Sequence, residues 1–340
     1  MRPRATRTML VSVDLPPGFI GGIAAWVDDA ATALSEAGED VTVLSKNTGD
    51  TSAFDATRPY RVIRMRGRSW GRHQDLWAAL QVGPRLGPGD RLVCATWTIA
   101  NLLAPLARAR GVQVAVAVHG SEVTQLIDAP AALRRLGPDV LWLPVSHFLA
   151  GELDRLGGET WNRQVLPMPL GLDAAVSGLP RAGLICVARR TPLKGLTRAA
   201  RLAAALGLEL TVVGDGPEPV PGARLVGRLP RAEARDRLAR AQAAVLLPRA
   251  DSRGLGAEGL GLVLLEAAAA GTPVIGCRTG GVAEAVGPGL VLDDPEAPNI
   301  SRVRELLDDP GAGAAARQWV CAHHGPDRFV AALEAAWDTV

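Results

Sequence analysis

Short apolar, β-branched runs alternate along this chain with amphipathic helical segments, and the alternation runs through twice. That pattern constrains the fold most strongly, because strands separated by helices pair in parallel and place helices on both faces of the sheet. In the first half, strands are predicted at TMLVSVD, VTVLS, YRVIRM, RLVCATW, QVAVAVHG, VLWLPVS and RQVLPMP, with helices between most of them, as over residues 23–36 and 148–156. A loop rich in Gly, Pro and Ala follows, LGLDAAVSGLPRAG, and the pattern restarts with LICVAR, LELTVVG, ARLVGRL, AAVLLPR, TPVIGC and GLVLDD. The expected fold class is α/β, with two Rossmann-like, doubly wound domains, 1–170 and 171–325, facing across a cleft. Ligands of such sheets bind at the carboxyl ends of the strands. The last helical segment, residues 328–337, stands apart, so the stretch 326–340 is expected to pack back on the first domain.

The totals agree with this and exclude some functions. A chain of 340 residues exceeds one ordinary core and fits two domains. With 48% apolar and 21% charged residues it reads as a globular protein, and a net charge of +2 gives no reason to expect a nucleic-acid partner. Lysine occurs only at Lys46 and Lys194, so a lysine inside a motif carries extra information here. Cys94, Cys186, Cys277 and Cys321 show no CxxC spacing and are read as reduced structural cysteines, as in a cytosolic protein. His323 and His324 are read as solvated. The N-terminus carries basic residues but no apolar stretch of signal-peptide or membrane-span length. The expected location is cytoplasmic, with peripheral contact at the inner membrane face left open.

Several residues carry chemistry. LICVAR ends at Arg189-Arg190, and Lys194-Gly195 opens the next helix. Arg189 and Lys194 are thus two cations at a strand end beside a helix N-terminus, a seat for a diphosphate. Arg190 reads as a solvated turn residue. The turns in VVGDGPEP and RLVGRLP supply Gly214 and the backbone of Gly227 to Leu229, which either face a flat base or simply end strands. In AEGLGLVLLEAAAAGTPVI, Glu258 precedes a Gly-Leu-Gly step and Glu266 lies in an apolar run that offers it no partner. Read as one helix, their separation of eight residues spans about 12 Å, so the two carboxylates grip two ends of an elongated ligand rather than one metal. A carboxylate suits a ribose diol, which fits Glu266, whereas Glu258 with the N–H groups of Gly259, Leu260 and Gly261 suits hexose hydroxyls. In the first half, DLPPGFIGGIAAW places Gly18, Gly21 and Gly22 before a helix, where backbone approaches an anion closely. Their spacing is not GxGxxG, so a dinucleotide-dependent oxidoreductase is unsupported. His119 ends a strand in VAVHGSE and either donates to a sugar hydroxyl or fills a turn. His147 opens a helix and is read as structural.

These pieces, in this order, resemble the retaining glycosyltransferases of family 4, which have the two-domain GT-B fold. The matching stretches are GFIGGIAAWVDDAATALSEAGEDVTVL, VHGSE, PVSHFLAGEL, GLD, ARRTPLKG, VVGDGPE, VGRLP and EGLGLVLLEAAAAGTPVIGCRTGGVAEAV, which together run through nearly the whole chain. The Glu-x7-Glu signature with Arg-x4-Lys upstream is the most specific part. The resemblance implies that Arg189 and Lys194 bind the donor diphosphate and stabilise it as the leaving group. It implies that Glu258, Gly259, Leu260 and Gly261 hold the donor sugar and that Glu266 holds the ribose. Leu229 presents backbone to the base, Gly214 belongs to the same donor site, His119 contacts the sugar near the reacting carbon, and Gly21 and Gly22 line the phosphate side. Three positions depart from the family pattern: Ala188 replaces a common Gly, Pro169-Leu170-Gly171 replaces Pro-Asn-Gly, and Leu260 replaces a frequent Phe.

The implied reaction moves a hexose from a nucleoside diphosphate sugar, with uracil the expected base, to an acceptor hydroxyl with retention. The co-substrate is the nucleotide sugar, no separate cofactor is expected, and the two cations stand in for a divalent ion, so no metal site is expected. The acceptor, a small molecule or a lipid-linked glycan, is expected to meet the first half. RPYRVIRMRGRSWGRHQDLW carries Arg58, Arg61, Arg64, Arg66, Arg68 and Arg72 with Trp70 and Trp77, read as a cationic shelf for acceptor or membrane, or as a solvated charge run. A second class stays open: a nucleotide-sugar-binding protein of the same fold that does not transfer, either an epimerase or an inactive regulator. An epimerase needs acids and histidines clustered at the anomeric carbon, where only His119 and Glu258 are found. An inactive relative is expected to have lost Lys194 or Glu258, and both are present.

Overall fold

Every predicted run but one becomes a strand. The computed structural model describes residues 6–65, 72–157, 160–172, 180–250 and 258–339, with the backbone alone at 72–76, 121, 122 and 124. The strands are β1 (Arg7–Ser12), β2 (Asp40–Lys46), β3 (Arg61–Met65), β4 (Arg91–Cys94), β5 (Gln113–Val118), β6 (Leu141–Pro144), β7 (Leu184–Val187), β8 (Leu210–Val213), β9 (Ala223–Gly227), β10 (Ala243–Val245), β11 (Val274–Cys277) and β12 (Leu290–Leu292). They form two six-stranded sheets, ordered β3-β2-β1-β4-β5-β6 and β12-β11-β10-β7-β8-β9, and every pair within them is parallel. Read outward from its first strand, each sheet winds in one direction for three strands and then in the other for three, the doubly wound order of nucleotide-binding sheets. The exception is RQVLPMP, which contributes a single bridge, Arg163 to Trp142. Pro167 and Pro169 lack the N–H groups that a ladder requires.

The strands are buried nearly end to end rather than at alternate residues, as at Val114 to Val118 of β5, because helices cover both faces. The Gly22–Glu36 helix turns Val27, Ala30, Ala31 and Leu34 inward, the i, i+3, i+4, i+7 stripe of a core-facing helix. Each such Leu or Val contributes about 1.5–3 kcal/mol on full burial. The Leu196–Leu206 helix does the same with Leu196, Ala199, Leu202 and Ala203, and stops where Gly207 enters the left-handed region at φ +72°.

The chain divides into two compact units, Met1–Leu170 with His324–Val340, and Gly171–His323. The Pro326–Trp337 helix therefore completes the first unit. Its Phe329 meets the edge of Trp26 at 6.1 Å, and Arg91 donates to Glu334 while lying 5.4 Å over the Trp337 ring. Two backbone contacts tie down its entry, Gly325 N–H to the Met168 carbonyl at 2.9 Å and Met168 N–H to His324 Nδ1 at 3.1 Å. His324 is thus a structural acceptor rather than the solvated residue expected, and His323 stacks on Trp319. Three of the cysteines are buried and Cys321 is exposed. Burial pushes the Cys94 and Cys186 thiols up, Cys186 to about 12, so both stay protonated and inert.

Candidate active site

In the second sheet β7 and β10 are neighbours, β8 and β9 continue from one and β11 and β12 from the other. The winding reverses between β7 and β10, the position at which doubly wound sheets of this order bind ligands at the carboxyl ends of their strands. The loop after β7 carries Ala188, Arg189 and Arg190 into a 3-10 turn, Pro192–Lys194. Gly195 follows at φ +66°, and a Cβ there would stand 1.7 Å from the Leu247 carbonyl oxygen just past β10. Only glycine allows the two loops to touch in this way. Arg249 N–H donates to the Leu193 carbonyl at 2.8 Å and locks the contact from the other side.

This contact sets the position of Lys194. Its Nζ lies 2.7 Å from Glu258 Oε2, with the two side chains 18% and 20% exposed. Two residues that the sequence assigns to neighbouring parts of one ligand are therefore joined to each other. Arg189 is exposed, and among the described residues no side chain pairs with it. Arg190 is not the solvated residue expected: its Nη1 donates to the Glu218 carbonyl at 3.0 Å, and its N–H donates to the Asp215 carbonyl at 2.7 Å.

Glu258 and Glu266 do not share one helix. The helix runs over Leu262–Ala269 and begins at Gly261, whose φ of +92° breaks the helical path before it. Glu258 lies in the irregular backbone upstream, where its carbonyl accepts from Gly281 N–H at 3.2 Å. The separation of about 12 Å inferred for a continuous helix does not apply. Gly259, Leu260 and Gly261 are buried, Leu260 to 6% exposure, so the Leu260 side chain packs inward. Among the described residues no side chain caps the helix start.

Glu266 corrects a second expectation. The apolar run supplies it no partner, but the Arg231–Ala239 helix does: Arg231 Nε donates to Glu266 Oε1 at 2.7 Å, and Arg235 Nε lies 3.5 Å from the same oxygen. Neither arginine was singled out from the sequence. Their spacing of four residues on one helix face is the signal that was present in PRAEAR, but nothing local to Glu266 pointed to it. Leu229, half-buried, sits in the loop that leads into this helix. Gly214 has a packing reason of its own. At φ +144° its missing side chain leaves room for the Ala188 carbonyl, 2.0 Å from where a Cβ would stand, and its N–H donates to Gly227 at 2.7 Å.

In the first unit the reversal falls between β1 and β4. Of the glycines after β1, Gly18 is packed against Thr48, whereas Gly21 and Gly22 are exposed with nothing within 4 Å of a Cβ. No internal contact therefore requires glycine at 21 and 22. His119 leaves β5 with its ring edge-on to Trp26 at 5.1 Å. The residue is half-buried, but its Nε2 is inaccessible and has no partner among the described residues. Burial pushes the imidazole down to about 4, which keeps it neutral at pH 7.

Of the three arginines of the cationic shelf whose side chains are described, two are held by internal contacts. Arg58 binds Asp28 at 3.1 Å and covers the Phe54 ring, and Arg64, with a side chain only 9% exposed, binds Asp55 and the Pro16 carbonyl, each at 2.6 Å. Arg61 alone of the described guanidinium groups in this run is exposed. Arg66, Arg68 and Trp70, and the side chain of Arg72, lie outside the described residues. Trp77 is half-buried.

Two doubly wound parallel sheets, one with a lysine–carboxylate pair and, among the described residues, an unpaired arginine at its reversal, define the class as a GT-B fold. Comparison with known proteins makes it specific. A family model described as glycosyl transferases group 1 matches residues 182–309. The GDP-mannose-dependent alpha-(1-6)-phosphatidylinositol monomannoside mannosyltransferase of Mycobacterium tuberculosis is 30% identical over 385 residues, covering 96% of this chain and 97% of that protein. The glycogen synthase of the same organism is 29% identical over 368 residues, covering 90% and 87%. Among solved structures, Anabaena Alr3699/HepE in complex with UDP-glucose superimposes with a TM-score of 0.77 over 98% of this chain and all of that one, at 14% identity. The chain belongs to the group 1 glycosyltransferases.

Proposed function

We propose that the protein transfers a hexose from a nucleoside diphosphate sugar to an acceptor hydroxyl with retention at the anomeric carbon and without a divalent ion. The observation that carries this is the Lys194–Glu258 pair, 2.7 Å apart at the reversal of the second sheet, with the unpaired guanidinium of Arg189 on the same loop. A diphosphate brings the anionic oxygens that, among the described residues, Arg189 lacks and Lys194 finds in Glu258. On binding, Lys194 shifts toward phosphate and Glu258 is left to accept from sugar hydroxyls. Glu266 accepts from the ribose diol, with Leu229 beside the base. In the first unit, His119 is assigned to the donor sugar and the open Gly21-Gly22 corner to an anion.

The bond from the anomeric carbon to the diphosphate oxygen breaks, the acceptor oxygen bonds to the same face of that carbon, and its proton passes to the departing phosphate. Catalysis is then positioning and stabilisation of leaving-group charge. The relatives' names carry two acceptors, phosphatidylinositol monomannoside and glycogen, so the acceptor is assigned only as a glycan or glycolipid hydroxyl. Among the described residues no helix is long and apolar enough to cross a membrane, and any work on a lipid acceptor is assigned to peripheral contact at the cytoplasmic face.

The test is release of nucleoside diphosphate from UDP- and GDP-hexoses. Uracil is the base expected from the sequence, and guanine is the one in the mannosyltransferase's name. Thermal shift with UDP and GDP separates the two, since the bound nucleotide raises the melting temperature. Lys194→Ala and Arg189→Ala are each expected to cut turnover by at least about a hundredfold, the scale of one preorganised charge contact. Near-normal turnover in either variant, or an epimerised nucleotide sugar in place of free diphosphate, refutes the proposal.

A further inference from the structure

The Arg231–Ala239 helix directs two guanidinium groups at one oxygen of Glu266, and this arrangement does more than neutralise a half-buried acid. An ionised carboxylate has about four acceptor sites, two on each oxygen. Arg231 Nε, at 2.7 Å, takes one of them on Oε1, whereas Arg235 Nε, at 3.5 Å, is an ionic contact at the limit of hydrogen bonding. Among the described residues, both side-chain contacts of Glu266 fall on Oε1. That leaves the sites of Oε2 for a ligand with two hydroxyls. The side chain of Glu266 is 12% exposed, so it keeps an opening toward such a ligand. Among the described residues, Arg235 Nη2 is buried without an acceptor.

We propose that Arg231, supported by Arg235, is a positioning residue that fixes the Glu266 carboxylate by one oxygen so that the other selects a ribose over a 2′-deoxyribose. The inference rests on the assignment of Glu266 to the donor ribose. Without the Nε contact at 2.7 Å the carboxylate rotates freely about its terminal torsion, and the two hydroxyls of a diol no longer meet a fixed pair of acceptor sites. A nucleotide with a single ribose hydroxyl gains little from that fixed orientation. Loss of Arg231 therefore weakens ribonucleotide binding selectively and leaves the chemical step alone.

The experiment is calorimetric titration of the whole chain with UDP, GDP and their 2′-deoxy counterparts, with kinetics on the matching sugar donor. The wild type is expected to bind the ribonucleotide about tenfold more tightly than the deoxy form, and Arg231→Ala to lose about tenfold for the ribonucleotide only, which removes the preference. The donor KM rises accordingly with kcat within about twofold, and Arg231→Lys recovers part of the preference. If Arg231→Ala keeps the wild-type ratio of ribose to deoxyribose affinities, the inference is overturned. Glu266→Ala separates the two layers. If that variant also keeps the ratio, the ribose assignment itself fails; if it loses the ratio while Arg231→Ala does not, only the positioning role fails. Should Arg231→Ala not fold, Arg231→Gln, which keeps a side chain of similar reach without the charge, is read by the same criteria.

Discussion

Gly195 and Gly207 bracket the same helix, and both sit in the left-handed region, at φ +66° and +72°. Their surroundings differ. A Cβ on Gly207 meets nothing within 4 Å, whereas one on Gly195 falls 1.7 Å from the Leu247 carbonyl oxygen. Gly207→Ala therefore carries only the conformational penalty, about 1 kcal/mol. Gly195→Ala carries that penalty and must also separate two backbone segments by about 1.5–2 Å to restore ordinary contact, which adds roughly 2 kcal/mol or more. For a unit the size of Gly171–His323, 1 kcal/mol is worth about 2–4 °C of melting temperature, so Gly207→Ala is expected near 3 °C below wild type and Gly195→Ala about 9 °C or more below. The same displacement draws Lys194 away from Glu258, so Gly195→Ala also loses turnover at temperatures where it is folded, and Gly207→Ala does not. Scanning calorimetry of the pair checks the stability claim, and release of nucleoside diphosphate at 20 °C below each variant's own midpoint checks the second. Equal melting temperatures for the two variants, or full turnover in Gly195→Ala, would refute the idea that the Gly195–Leu247 contact builds the site.

Two further outcomes follow from the first unit. His119 titrates near 4 when folded, because burial disfavours its charged form, and near 6.5 when unfolded. The unfolded chain thus binds the extra proton in that window, so His119 contributes stability above pH 6.5 that is lost as pH falls toward 4. Replacing His119 with Phe is expected to flatten the melting profile between pH 6.5 and 4, and profiles that stay parallel to wild type exclude the assignment. Arg64→Ala strands Asp55 and the Pro16 carbonyl and is expected to cost about 2 kcal/mol, seen as a lower urea midpoint, with sedimentation on anionic vesicles unchanged. Weaker vesicle binding at unaltered stability restores the cationic shelf.

What could be read from the residues alone was whatever is local in the chain. Runs such as QVAVAV and LTVV name their own strands, and the Lys194-Gly195 step places itself between a strand and a helix, so the two sheets and the cationic loop were accessible. The errors arose where the deciding partner is distant in sequence or where one backbone angle intervenes. Glu266 looked isolated along its own helix because Arg231 reaches it from 35 residues away. Arg58 and Arg64 were left between a cationic shelf and a solvated run because Asp28 and Asp55 are brought to them by folding. Glu258 was measured along the helix of Glu266 because the apolar run gives no sign of the break that Gly261 makes at φ +92°. RQVLPMP has the apolar content of a strand, but its two prolines withhold the hydrogen bonds.

The Pro326–Trp337 helix belongs to the unit whose other strands and helices end at residue 170. During synthesis, Trp26 and Arg91 must therefore wait for Phe329 and Glu334 while the whole of the other unit is translated. A fragment ending at residue 170 would present that uncovered seam to solvent and be prone to self-association. Any attempt to study the first unit in isolation needs the tail supplied, either spliced on through a new linker or added as a separate peptide.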